Sequence, residues 1–162
     1  IVKVIENFLD KNDFLNLENY LLQRELAWYY RSSTVVNGDD VPYFTHSFFN
    51  EDTINSTSFN LIKPILNKLN YSSIIQIRAN LILRNETSKK TGWHIDYNYK
   101  NHKTAIFYIN ESNGPTVLKN KKLKVYPKKN KILIMDGNTE HALYTQTDTK
   151  RRVVINLNYY EK

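Results

Sequence analysis

The feature that most constrains the fold is a series of short strand-like segments in the second half of the 162-residue chain. These segments are rich in Val, Ile, Tyr and Thr, and polar turns separate them, which is typical of β strands. The predicted strands are Ser73–Arg84, Lys103–Ile109, Thr116–Leu118, Leu123–Tyr126, Lys131–Met135, His141–Tyr144 and Arg151–Tyr160. The pattern predicts a mainly β (α+β) fold, a sandwich or jelly-roll barrel with helices packed outside it.

Two helices are predicted before these strands. Asp13 can cap the first helix, in which apolar residues recur at the helical period. Those apolar residues are Phe14, Leu17, Leu21 and Leu22. The second helix is predicted from about Ser56 to Asn70, where Pro64 either kinks the helix or marks its true start.

The segment Trp28–Asp52 between the helices is aromatic and irregular. It contains a predicted turn at Asn37-Gly38-Asp39-Asp40. Two interpretations stay open for the aromatic residues: strands that pack on the core, or a lid or wall over a substrate. The length predicts a single domain over 1–162, in which 1–72 form a helical and aromatic support and 73–162 the core barrel.

Composition excludes several classes of function and leaves one local charge feature. The chain has no cysteine, which excludes disulfides, cysteine-based zinc and iron–sulfur sites and thiol catalysis. The formal net charge is +7, and all of it comes from the segment Lys119–Lys131, which contains lysines and no acidic residue. This segment is either a contact for an acidic partner such as nucleic acid or a solvated hairpin. No apolar run is long enough to span a membrane, so we expect no membrane partner.

A candidate metal site follows from the spacing of two side chains. His94 and Asp96 stand two residues apart, so in an extended chain they project to the same face. His141 is the best candidate for a third ligand, because His46 and His102 lack a nearby partner of this kind. Two histidines and one carboxylate on one face are typical of non-haem Fe(II) oxygenases. A tetrahedral zinc site with the same ligands is the alternative.

The last strand predicts an anion site beside this metal. Its two-residue period places Arg152 and Asn156 on one polar face, together with Val154 and Asn158. A guanidinium suits a carboxylate because it can donate two parallel hydrogen bonds. The preceding Arg151 is expected at the surface.

Together these residues resemble the 2-oxoglutarate- and Fe(II)-dependent oxygenases. The resemblance is strongest to small prolyl-hydroxylase-like members of bacterial and marine viral (phage) type, and it runs from about Gln76 to Tyr160. The matching segments are Arg78–Leu81, Gly92–Asp96, Tyr108–Asn110, Asn113-Gly114, Met135–Gly137 with His141, and Arg151–Asn156. The family fold is a double-stranded β-helix, a jelly roll like that of the cupins.

The resemblance also implies roles for individual residues. The implied iron ligands are His94, Asp96 and His141. The implied cosubstrate residues are Arg152 and Tyr108 for the distal carboxylate of 2-oxoglutarate, Asn156 beside them, and Asn80 and Arg78 for the other end. Nucleic-acid demethylases of the family carry a second arginine six residues after the first, where this chain has Asn158, and this difference argues against that class.

The implied activity is a dioxygenase that hydroxylates a C–H bond with release of succinate and CO2. It uses Fe(II), 2-oxoglutarate and O2, with ascorbate as a possible support. The favoured substrate is a protein or peptide side chain, as for prolyl hydroxylases, in the cytoplasm, or the host cytoplasm if the protein is viral. The alternatives are a nucleic-acid-directed oxygenase that uses Lys119–Lys131, a zinc hydrolase, and a non-catalytic jelly-roll binding module.

Overall fold

A computed structural model describes residues 1–23, 26–35 and 38–162 of the chain. The α helices are α1 (Lys11–Leu22) and α2 (Lys63–Lys68). The strands are β1 (Val2–Ile5), β2 (Tyr29–Arg31), β3 (Tyr43–Asn50), β4 (Thr53–Ile54), β5 (Tyr71–Leu83), β6 (His102–Tyr108), β7 (Thr116–Leu118), β8 (Leu123–Val125), β9 (Lys131–Asp136), β10 (His141–Leu143) and β11 (Arg151–Glu161). Short 3-10 turns occupy Phe59–Ile62 and Lys119–Lys121.

The strands form two antiparallel sheets that face each other. The large sheet has the order β1-β9-β6-β11-β5-β3-β2, with β4 paired to β3, and the small sheet has the order β10-β7-β8. Isolated bridges join Lys90 to Tyr144 and His94 to His141, so the chain after β5 extends the small sheet. The fold class is therefore confirmed as a mainly β jelly roll.

The two faces of the large sheet have different neighbours. On β11, Val153, Ile155 and Leu157 belong to the main apolar core, which also contains Phe14 of α1 and Ile65 of α2. The alternating side chains of β11 face the small sheet instead. The helices thus cover one face of the large sheet, as predicted, and leave the other face for a cavity.

The strand predictions for the second half are confirmed to within about two residues at each end. The helix predictions need two corrections. Helix α1 begins at Lys11 and follows Asp10, so Asp13 lies in the first turn and is not the cap; a carboxylate there still interacts favourably with the helix dipole. The second helix is shorter than predicted, because Pro64 lies in its first turn and marks its true start.

The N-terminal region adds strands as well as helices. β1 pairs with β9 at one edge of the large sheet, and β3 pairs with β5 on the other side. The division at residue 72 stays a prediction. In the predicted turn, Gly38 has a φ of 81°, whereas Asn37 lies outside the described residues. Among the described residues, no helix is long and apolar enough to cross a membrane.

Candidate metal and cosubstrate site

A short antiparallel bridge brings the two predicted histidine ligands together. The backbone N–H of His94 donates to the carbonyl of His141 at 3.0 Å, and the reciprocal bond is 2.9 Å long. The two rings consequently lie side by side, with centroids 4.5 Å apart. The Nε2 atoms of both rings are 3.7 Å from Oδ1 of Asp96.

Backbone carbonyls fix the tautomer of both rings. His94 Nδ1 lies 3.1 Å from the carbonyl of Gly92, and His141 Nδ1 lies 3.0 Å from the carbonyl of Thr139. Since a carbonyl oxygen can only accept, each Nδ1 carries the proton and each Nε2 presents a lone pair. This is how metal-ligating histidines are commonly oriented.

The carboxylate of Asp96 is buried and held from the side opposite the histidines. Asn158 donates its Nδ2–H to Asp96 Oδ2 at 3.0 Å, and Thr104 donates its hydroxyl to Asn158 Oδ1 at 2.7 Å. Burial on its own raises the pKa of Asp96, but His141, His94 and the Asn158 hydrogen bond outweigh it and hold that pKa below its ordinary value. Asp96 is therefore an anion with one oxygen left to face the histidines.

These three residues fit a divalent metal ion. Their ligand atoms all lie within 4.8 Å of one another, and His141 Nε2 is buried without a hydrogen-bond partner. An unpaired buried nitrogen lone pair is costly, and a cation at this point would satisfy it. Because the three ligands lie on one side, the cavity side remains open for further ligands, as in sites with two histidines and one carboxylate.

The three residues stand at the wall of a cavity of about 400 Å³ between the two sheets. The floor of this cavity is polar, because the strand period turns Arg78 and Asn80 of β5 toward it. Arg152 and Asn156 of β11 line the cavity as well. On the neighbouring strand β5, Ile82 lies directly opposite Arg152, and Arg78 lies directly opposite Asn156.

Arg152 is a buried cation at one end of this cavity. Its side chain is 2% exposed, and no acidic side chain lies within 4.0 Å of it among the residues that the structure describes. Burial lowers the pKa of Arg152, yet a guanidinium stays protonated in proteins. A buried cation without a counter-ion is unfavourable, so this end of the cavity is suited to an anionic ligand.

The hydroxyl of Thr116 links Arg152 to Tyr108. Arg152 donates from Nη2 to Thr116 Oγ1 at 3.0 Å and from Nε to the carbonyl of Gly114 at 3.2 Å. The fully buried Tyr108 donates its hydroxyl to the same Thr116 oxygen at 2.9 Å. Thr116 lines the cavity and Tyr108 does not. With two bonds accepted, Thr116 retains its own proton to donate into the cavity.

The structure thus places the predicted site residues in one cavity with one exception. Tyr108 lies behind Thr116 and not at the cavity surface, because its ring packs in the apolar cluster around Ile106 and Val154. Arg151 points away and donates to the carbonyl of Leu22 at 2.8 Å. The roles of these residues in binding metal and cosubstrate stay predictions.

The sequence did not predict a role at this site for Thr116 or for Asn158. The only signal for Thr116 is its position at the start of a strand after Asn113-Gly114-Pro115. Asn158 was placed on the polar face of β11, but its contact with Asp96 depends on a loop that lies far away in the sequence. A turn that contains Asp39 was predicted, but the contacts of its carboxylate were not. Asp39 accepts hydrogen bonds from the backbone N–H groups of Thr34 and Gly92, at 3.0 Å and 3.3 Å.

Three acidic side chains partly neutralise the lysine-rich segment. Four of its lysines form ion pairs: Lys119 with Glu140, Lys128 and Lys131 with Glu6, and Lys129 with Glu18. Of the remaining lysines, Lys124 lies over the ring of Tyr144, with 6.0 Å between its Nζ and the ring centroid. The segment is therefore less basic as a surface than its sequence suggests.

Comparison with known proteins identifies the fold. No protein-family model matches the sequence, and no curated protein matches it. Among solved structures, a 2OG-Fe(II) oxygenase family protein from Burkholderia pseudomallei is similar with a TM-score of 0.73 and 11% identity, over 98% of this chain and 84% of that one.

Two prolyl hydroxylases are similar as well. One is from Trichoplax adhaerens, in complex with a hypoxia inducible factor peptide fragment (TM-score 0.69, 14% identity, 99% of this chain and 83% of that one). The other is the viral collagen prolyl hydroxylase of Paramecium Bursaria Chlorella virus-1 in its 2OG complex (TM-score 0.66, 14% identity, 97% and 94%). The chain has the double-stranded β-helix fold of these oxygenases. At such low identity the likeness establishes the fold, and the chemistry depends on the residues described above.

Proposed function

We propose that this protein is a non-haem Fe(II)- and 2-oxoglutarate-dependent dioxygenase that hydroxylates a C–H bond and releases succinate and CO2. The observation that carries the proposal is the presence of two complementary half-sites in one cavity. His94, Asp96 and His141 present three metal-ligand atoms on one side, and Arg152 offers a buried cation that has no ion pair within residues 1–23, 26–35 and 38–162. A dicarboxylate with a chelating keto acid at one end fits both half-sites together.

Each residue has a distinct task in this proposal. Fe(II) supplies the redox chemistry with O2 when it is bound, and the chain supplies orientation and exclusion of side reactions. Arg152 and the free Thr116 hydroxyl hold the distal carboxylate, and Tyr108 orients that hydroxyl from behind. Asn80 and Asn156 line the same cavity, and their amide N–H groups can donate to oxygens of the rest of the cosubstrate.

For the prime substrate we propose a protein or peptide side chain. Two of the similar structures are prolyl hydroxylases, and one of these is in complex with a hypoxia inducible factor peptide fragment. We place the activity in the cytoplasm, or in the host cytoplasm if the protein is viral. A nucleic-acid substrate receives less support than the sequence suggests, because four of the seven lysines in Lys119–Lys131 form ion pairs with Glu6, Glu18 and Glu140.

The proposal is tested by cosubstrate consumption and by spectroscopy on the same protein. Iron-loaded protein with ascorbate should convert 2-oxoglutarate to succinate slowly, even without prime substrate, and Asp96→Ala should abolish this. Under anaerobic conditions, 2-oxoglutarate should produce a visible charge-transfer band with bound Fe(II). Candidate peptides are then screened by mass spectrometry for a gain of one oxygen atom.

The alternatives predict different results in these assays. A zinc hydrolase would retain zinc through chelation and show no charge-transfer band. A non-catalytic binding module would show the same cosubstrate consumption for wild type and Asp96→Ala. Absence of succinate from protein with demonstrated bound iron would contradict the proposed activity.

A further inference from the structure

The cavity is lined by a second cation, Arg78, besides Arg152. Arg78 lies on β5 and lines the cavity. Its Nε is buried and has no hydrogen-bond partner in the described part of the chain. Among the residues that the structure describes, no acidic side chain lies within 4.0 Å of its guanidinium. Its Cζ lies 5.9 Å from the ring centroid of Tyr43, within the range of a cation–π contact.

The neighbour of Arg78 on the adjacent strand β11 also has an unpaired buried atom. Asn156 stands directly opposite Arg78 on β11, where side chains are normally close enough to interact. Its Oδ1 is buried and also lacks a partner. A donor and an acceptor thus face each other across two strands without forming a hydrogen bond, and both border the cavity.

A count of the charges in the cavity argues that Arg78 is not required to bind 2-oxoglutarate. The sequence prediction placed Arg78 at the metal end of 2-oxoglutarate. Under the proposed function, Fe(II), the Asp96 carboxylate, the Arg152 guanidinium and doubly charged 2-oxoglutarate together carry no net charge. Arg78 then adds one positive charge to a cavity wall where the carboxylate of Asp96 is already committed to the metal. A partly desolvated cation of this kind is stabilised by an anion that the remaining ligand brings.

We propose that Arg78 binds a carboxylate group of the prime substrate. The inference rests on the proposed function and specifies its substrate class: a molecule with a carboxylate near the carbon that is oxidised. Two sources share this chemistry, a free amino acid and a carboxylate of a peptide. The aromatic ring of Tyr43 keeps the guanidinium at the cavity wall, so the anion is held at a fixed position.

The test uses simple carboxylates as probes on protein that already contains anaerobic Fe(II) and 2-oxoglutarate. Thermal unfolding is followed as the concentration of sodium acetate is raised. Sodium chloride keeps the ionic strength constant, and acetamide serves as the neutral analogue. Wild type should be stabilised saturably by acetate and not by acetamide. Arg78→Met should lower the acetate affinity at least tenfold, because it removes a hydrogen-bonded charge pair. The affinity of this variant for 2-oxoglutarate, measured from the charge-transfer band, should stay within about twofold of wild type.

Two further variants control for charge and for folding. Arg84→Met removes an exposed arginine just beyond the end of the same strand and should leave the acetate effect unchanged. Arg78→Lys keeps a positive charge and should retain part of the effect. A larger effect of glycine than of N-acetylglycine would identify a free amino acid as the carboxylate source, and the reverse would identify a peptide.

Three results would overturn the inference: no saturable effect of acetate on wild type, an equal effect on Arg78→Met, or a tenfold loss of 2-oxoglutarate affinity in Arg78→Met. The last result would indicate that Arg78 binds 2-oxoglutarate, as the sequence predicted. Failure of the proposed function has a different signature. In that case wild type shows no charge-transfer band, whether or not acetate stabilises the protein through Arg78.

Discussion

Asn158 donates a hydrogen bond to Asp96 over 3.0 Å, and this bond determines which carboxylate oxygen faces the two histidines. Oδ2 is engaged by Asn158, so Oδ1 is left 3.7 Å from both Nε2 atoms. Thr104 in turn donates to Asn158 at 2.7 Å and fixes the orientation of the amide. The metal site is therefore positioned from β6 and β11, although its ligands lie outside those two strands.

The first prediction is that Asn158→Leu weakens metal binding. Loss of the donor frees Asp96 to rotate, and loss of such an outer hydrogen bond typically lowers metal affinity about 10–100-fold. Isothermal titration with Mn(II) as an air-stable substitute measures the affinity. Asn138→Leu, at an exposed turn, is the matched control. Equal affinities for the two variants would show that Asp96 does not depend on Asn158.

The second prediction concerns the order of effects among residues around the distal carboxylate. Thr116→Val removes a hydroxyl at the cavity surface and should weaken 2-oxoglutarate binding about tenfold, as expected for a hydrogen bond to a charged group. Tyr108→Phe should have a smaller effect, since its hydroxyl contacts Thr116 and not the cavity. Anaerobic titration of the charge-transfer band measures both. A larger effect for Tyr108→Phe would mean that Tyr108 contacts the cosubstrate directly.

The third prediction concerns stability at Gly114, whose carbonyl accepts a hydrogen bond from Arg152. A Cβ at this position would overlap the backbone carbonyl oxygen of Tyr144 and lie 2.9 Å from the backbone nitrogen of Gln146. Because backbone atoms cannot easily move away, Gly114→Ala should reduce the free energy of unfolding by about 3 kcal/mol.

Gly38→Ala is the control for Gly114→Ala. Nothing lies within 4 Å of its Cβ position, and its only cost is a φ of 81°, worth about 1–2 kcal/mol in a residue other than glycine. Urea unfolding followed by circular dichroism measures both variants. A smaller loss for Gly114→Ala than for Gly38→Ala would contradict the close approach of the two backbone segments.

The fourth prediction is a pH-dependent contribution from Asp39, which ties the cavity-lining residue Thr34 to the loop before His94. Burial on its own raises the pKa of Asp39, but hydrogen bonds from Thr34, Gly92 and Ser33 outweigh it, so the pKa lies below its usual 3.8. A carboxyl whose pKa is lower in the folded than in the unfolded chain stabilises the fold at pH values above the unfolded pKa. That contribution should disappear as the pH falls through the folded pKa.

Asp39→Asn should therefore lower the free energy of unfolding by about 1 kcal/mol at neutral pH. The difference between variant and wild type should shrink as the pH falls below 3.8. Unfolding by urea at a series of pH values measures this difference. A difference that stays constant down to the acid limit would show that the carboxylate charge does not contribute.

Much of the fold was predictable because it depends on local pattern. The alternation along Arg151–Tyr160 predicted an apolar face toward the core and a polar face toward a site, and the structure places Ile155 in the core and Asn156 in the cavity. The strand Thr116–Leu118 was predicted with the bounds that the structure has, and the other strands of the second half differ by one or two residues at an end. The cap of the first helix was misplaced by three residues, at Asp13 instead of Asp10, because a short polar side chain suits the first turn as well as the cap.

The sequence by itself determined the alternation of faces, the pair His94 and Asp96, and the candidates His141 and Arg152. These follow from periods of two residues and from the chemistry of side-chain types, which act over short distances along the chain. Only the tertiary structure decided that Thr116 stands between Tyr108 and the cavity, that Asn158 orients Asp96, and that Arg78 has no ion pair with an acidic side chain in the part of the chain that the structure describes. Those relationships depend on which segments become neighbours in the folded chain, and Asp96 and Asn158 are 62 positions apart in the sequence.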